Sequence, residues 1–94
     1  MTKGRDFAEI VALKALAWVV GQEDMLGGFL GASGTAQDEL RLRVAEPEFL
    51  VSVLDYILMD DAWVIAFCDE NDLAYEVPMT ARQALPGGQD VSWT

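Results

Sequence analysis

The chain has 94 residues, 52% of them apolar and 23% charged, with a net charge of −10 and no histidine. That length holds one domain around one core, and nine aromatic residues spread from Phe7 to Trp93 separate it from the aromatic-poor composition of disordered chains. The missing histidines exclude Ser/His and Cys/His relays and Cys/His zinc sites, while the acid surplus repels nucleic-acid phosphates and anionic lipid.

Asp6 and Glu9 have the spacing of a capping box, which predicts a first helix from Asp6 to about Val20, stopped by Gly21. Its polar residues Glu9 and Lys14 fall on different faces, so apolar groups surround most of it, as in a central helix. Ile10 to Val20 is the longest apolar run. Its eleven residues, broken by Lys14, fall short of the roughly twenty that span a membrane. Lys3 and Arg5 precede it as in a signal peptide, but Asp6 and Glu9 intervene and no small-residue cleavage site follows. The expectation is a mature cytoplasmic chain, in keeping with a single cysteine and hence no internal disulfide.

A second helix is predicted over Gln22 to Leu30, with Glu23 and Asp24 in its first turn and Met25, Leu26, Phe29 and Leu30 on its buried stripe. "GASG" at 31–34 is expected to end it. The stretch "GGFLGASG" lacks both phosphate-loop spacings and follows no strand, so helix packing and a C-terminal stop account for it better. Thr35 and Asp38 then predict a capped third helix running to about Ala45, with Leu40 and Val44 inward.

Glu46-Pro47 marks the next start, because proline fits the first helical turn and no later one. From there Phe49, Leu50, Val53, Leu54, Ile57 and Leu58 form a stripe of nearly three turns, opposite Glu48, Ser52, Asp55 and Met59. In "LMDDAWVIAFCDEND", residues 58–72, the stripe restarts as Trp63, Val64, Phe67 and Cys68. Asp60 is the expected cap, Asp61 the first-turn acid and Asn71 the stop. A loop leads to Pro78 and a last short helix ending near Leu85. The prediction is an all-α bundle of five or six short helices around the first, residues 1–85, with an irregular tail at 86–94. Trp18, Trp63, Phe49, Leu54 and Phe67 are expected in its core. Trp93 near the chain end either pins the tail onto the bundle or anchors a partner; pinning is preferred, since it costs no association entropy.

Several chemistries fail on the residues themselves. Cys68 sits among acids that keep a thiol protonated, and it shares a stripe with core residues. Asp69, Asn71 and Asp72 suggest a calcium loop, yet Ala74 stands where glycine must turn the chain and Thr80 where a bidentate Glu belongs. Divalent cations are therefore expected to bind only at about 10⁻³ M or weaker. Asp55, Asp60 and Asp61 could do acid-base work as paired carboxylates, but nothing marks a pocket around them. Neither cofactor nor metal is implied.

Four segments, "ALAWVV" at 15–20, "LGGFLGASG" at 26–34, "PEFLVSVLDYILMDDAWVIAFCDEND" at 47–72 and "LPGGQDVSWT" at 85–94, resemble a small bacterial family known as domain of unknown function 3572. The resemblance covers nearly the whole chain and implies one complete domain; it assigns no catalytic residue.

Charge supplies the functional expectation. Residues 1–43 carry five bases and six acids, residues 44–94 one base and ten acids, and between Val44 and Ala81 there is no Lys or Arg. At about 100° per residue, Asp61, Ile65, Asp69 and Asp72 share one quadrant of the fifth helix, away from Trp63 and Phe67. The expected protein is a non-enzymatic interaction module that offers this acidic face to a basic protein partner. Its rivals are a carboxylate enzyme or small-ligand binder around Asp55, Asp60 and Asp61, and a structural subunit that self-associates through the second helix or the tail.

Overall fold

A computed structural model describes residues 3–85, so the tail expected at 86–94, with Trp93, lies outside the described residues. Among these residues the order is α1 (Lys3–Val20), α2 (Glu23–Ser33), a 3-10 turn (Gln37–Glu39), α3 (Leu40–Arg43), α4 (Pro47–Leu58), α5 (Asp61–Asn71) and α6 (Val77–Ala84). The fold is an all-α bundle without strands among the described residues. None of these helices is long and apolar enough to cross a membrane.

α1 packs against α6 and α4 most extensively and also touches α2 and α5, so it is the central helix. Ala8, Val11, Ala12, Ala15, Leu16, Trp18 and Val19 are buried there. It differs from expectation in two ways. The helix begins at Lys3, which makes Asp6 a first-turn acid and not its cap. It is also not enclosed: Phe7, Ile10, Leu13 and Val20 are exposed along one side. Fitting a bundle on one face satisfies a helix this apolar only in part.

α2 runs past Gly31 and stops at Gly34, whose φ of 70° is the left-handed conformation of a C-cap. Gly31 was expected to open the stop, but a glycine inside a helix costs only about 1 kcal/mol, which packing offsets. Gly28 admits Tyr56: a Cβ there would collide with the Tyr56 hydroxyl oxygen. The third helix is a 3-10 turn and one α turn, with Ala36 and not Thr35 at its start. The Ala36 N–H donates to the Glu39 carboxylate at 3.0 Å, half of a capping box. Thr35 is buried instead, and its hydroxyl accepts from the Arg43 guanidinium at 3.0 Å. Arg43 also pairs with Glu46 at 3.1 Å and lies over the Phe49 ring at 5.2 Å, tying the turn to the bundle.

α4 follows its stripe closely. Phe49, Leu50, Val53, Leu54 and Ile57 are buried, with Leu58 half-buried against them. A row of rings joins α2, α4 and α5. Phe29 meets Phe49 and Tyr56 edge-on at 5.7 and 5.4 Å, and Tyr56 stacks on Trp63 at 5.1 Å. Trp18 of α1 meets Phe67 edge-on at 6.1 Å. Each such pair adds about 0.5–1.5 kcal/mol beyond its buried area. Trp63 is therefore half-buried at the end of this row, not fully enclosed as expected, while Trp18, Phe49, Leu54 and Phe67 are buried.

Candidate functional site

α5 begins at Asp60, whose extended backbone lets its Oδ1 accept the Ala62 N–H at 2.8 Å. Asp61 follows in the first turn, where the helix dipole favours an anion. The helix ends at Asn71, the expected stop. Asp72, not Asn71, takes the left-handed cap conformation at φ 57°, which a short polar side chain tolerates better than most. The Asn71 amide instead donates to the Phe67 carbonyl at 3.0 Å, and Leu73 N–H donates to the Cys68 carbonyl at 2.9 Å.

Between these ends α5 divides by face. Val64, Phe67 and Cys68 are buried, while Asp61, Ile65, Asp69 and Asp72 are all exposed. Ile65 is 44% exposed, with carboxylates one helical turn away on each side. The reversal at Asp72 adds a residue that sequence reasoning missed. Exposed Tyr75 donates its hydroxyl to Asp69 Oδ1 at 2.8 Å. That hydrogen bond, reinforced by the carboxylate's charge, pushes the Tyr75 hydroxyl above its ordinary pKa. Six residues separate the pair, beyond helical i, i+4 reach, so no spacing rule signals it.

Cys68 donates its thiol to the Ala74 carbonyl at 3.5 Å. Burial pushes its pKa up, and the charges of Asp69 and Glu76 push it further, so the nucleophilic thiolate is disfavoured. The three candidate catalytic carboxylates have separate employment. Asp60 caps α5, Asp61 is exposed, and Asp55 pairs with Arg82 of α6. Of the three, Asp55 lines a hollow of about 240 Å³ together with Phe29, Ala32, Ser33, Ser52, Tyr56 and Met59. Among the described residues no group of three or more His, Cys, Asp or Glu is placed to hold a metal ion.

These features define a small, strongly acidic all-helical domain with one apolar residue set among the acids of its fifth helix. Residues 5–88 match the model of a family described as protein of unknown function, DUF3572, and the chain belongs to that family. No curated protein and no solved structure matches it.

Proposed function

We propose that this is a non-enzymatic protein-interaction module that docks a basic protein surface onto the outer face of α5, within a bacterial cytoplasm. The observation that carries the reading is Ile65, an exposed apolar side chain flanked by Asp61, Asp69 and Asp72. Interfaces concentrate their energy in a few apolar or aromatic anchors, and surrounding charges choose the partner and speed its approach. Tyr75, held against Asp69, adds an aromatic contact at the C-terminal edge of that face. No Lys or Arg stands between Val44 and Ala81, so the acids of α5 lie far in sequence from any base. The single cysteine, a buried free thiol, agrees with a reducing compartment.

The test uses a partner recovered from host lysate by the unaltered protein. Replacing Asp61, Asp69 and Asp72 together by Asn slows association more than it speeds dissociation, and Ile65→Ala raises the dissociation rate with little loss of fold stability. Binding by the unaltered protein weakens with salt as the Debye length falls from about 10 Å at 0.1 M to about 3 Å at 1 M. A partner indifferent to both sets of changes would falsify the assignment of this face.

A further inference from the structure

The apolar residues that α1 leaves uncovered are regularly spaced. Ile10, Leu13, Ala17 and Val20 are exposed at intervals of three, four and three, the spacing of the a and d positions of a heptad seam. Ile10 is 54% exposed, Leu13 44% and Val20 43%. Isolated exposed apolar residues are ordinary, but a continuous row on one helix is the signature of a surface that another helix covers. The same helix buries Ala8, Val11, Ala12, Ala15 and Val19 in its own bundle, so this row is surplus to the fold.

The flanks of the row say what covers it. Glu9 precedes Ile10 at the g position and Lys14 follows Leu13 at the e position. Five residues separate them, about 140° around the helix, so they cannot meet within one chain. When two copies of α1 lie parallel about a two-fold axis, the g flank of each runs beside the e flank of the other. Glu9 of each copy, which within its own chain already pairs with Arg5 at 3.4 Å, then faces Lys14 of the other, so that two equivalent clusters of Arg5, Glu9 and Lys14 border the seam. An antiparallel pair would place like flanks together, Glu9 against Glu9 and Lys14 against Lys14. The row is thus complementary to itself in the parallel arrangement.

Net charge points to the same helix. Two molecules of charge −10 repel each other at a distance, and most of that charge belongs to residues 44–94. The stretch Lys3–Val20 carries three bases and two acids, so a second copy meets the least repulsion there. Asp6, one turn before Ile10, closes the seam at its N-terminal end, because two carboxylates would meet at the axis. At the other end Val20 borders a hollow of about 650 Å³ lined by apolar Leu40, Leu42 and Val44 and by polar Gln37, Asp38 and Arg41, so the surface past the helix is mixed.

We infer that a second copy of this chain covers the Ile10, Leu13, Ala17 and Val20 face of α1, forming a parallel two-fold dimer that Glu9 and Lys14 hold in register. The seam from Phe7 to Val20 is about 20 Å long at 1.5 Å per residue. A seam this short belongs with the small interfaces of weak, concentration-dependent complexes. The dimer leaves the α5 face out of its seam, and neither reading depends on the other.

The experiment is sedimentation of the full 94-residue chain from about 1 µM to about 1 mM at about 0.15 M salt. The expected mass rises with concentration from 10.3 kDa toward twice that value. Glu9→Lys and Lys14→Glu each weaken the dimer about threefold to tenfold, and the two together restore affinity to within about twofold, because the reversed pair re-forms across the axis. Leu13→Cys meets its own counterpart at the seam and forms an intermolecular disulfide under mild oxidation, which buried Cys68 does not. All three altered positions lie outside the buried core, and an unchanged helical spectrum at micromolar concentration checks their fold. A full chain that stays monomeric throughout overturns the inference, whether the face is open, covered by residues 86–94 or reserved for a different protein. Failure of the double reversal to recover affinity, with Leu13→Cys remaining uncrosslinked, overturns the parallel register.

Discussion

α1 and α4 are both rich in apolar residues, yet they spend them differently. In α4 every turn carries polar groups opposite the stripe, and Phe49, Leu50, Val53, Leu54 and Ile57 of that stripe are buried. In α1 apolar residues occupy the exposed side as well, and Phe7, Ile10, Leu13 and Val20 remain in contact with solvent. Apolar content alone therefore does not measure burial. A polar opposite face marks which side of a helix the fold uses, and where that mark is missing the side left over becomes available for something else.

The largest effect that tests this contrast is truncation on the two sides. Leu54→Ala and Phe67→Ala, both at fully buried positions, lower stability by about 3–5 kcal/mol. Leu13→Ala on the exposed side of α1 changes it by no more than about 0.5 kcal/mol at concentrations too low for association. Urea denaturation at micromolar protein measures both, and equal losses would erase the distinction.

Two glycines of α2 extend the same principle, that surroundings and not residue type set the cost. Gly28→Ala drives a methyl against the Tyr56 hydroxyl and disturbs its stack on Trp63, with an expected loss of about 1–3 kcal/mol. Gly31→Ala meets no atom within 4 Å and stabilises the helix by about 0.5–1 kcal/mol. Opposite shifts in thermal midpoint are the expected result.

Loss of the α5 cap is of intermediate size. Asp60→Ala leaves the Ala62 N–H without its side-chain acceptor and costs about 1 kcal/mol, whereas Asp60→Asn keeps most of that stability. Parallel denaturation curves for the two variants distinguish a cap from a carboxylate needed for its charge.

The smallest effect is a pH dependence. Burial and the neighbouring acids raise the Cys68 pKa in the folded state, so the fold favours the protonated thiol. That contribution is complete below the unfolded thiol's pKa of about 8.5 and is lost as pH rises through the higher folded value. Tyr75, whose pKa is also raised, acts in the same direction at still more alkaline pH. Comparing urea midpoints of the unaltered protein and Cys68→Ala between neutral and alkaline pH isolates the thiol. A difference between the two proteins that stays constant with pH would refute it.

Residue spacing determined which segments are helical, where α4 and α5 begin, and that Phe67 and Cys68 turn inward while Asp61, Ile65, Asp69 and Asp72 turn out. Those properties depend on contacts within one or two turns, which a periodic pattern and a cap record directly. Only the tertiary structure decided what depends on partners far along the chain. Arg82 reaches Asp55 across 27 residues, Arg43 bonds buried Thr35, and Tyr56 closes on Gly28 and stacks on half-buried Trp63. Tyr75 reaches Asp69 because the chain reverses at Asp72. The open side of α1 belongs with these, because an apolar helix is covered only as far as its neighbours extend, and that is set by how α2, α4, α5 and α6 assemble around it.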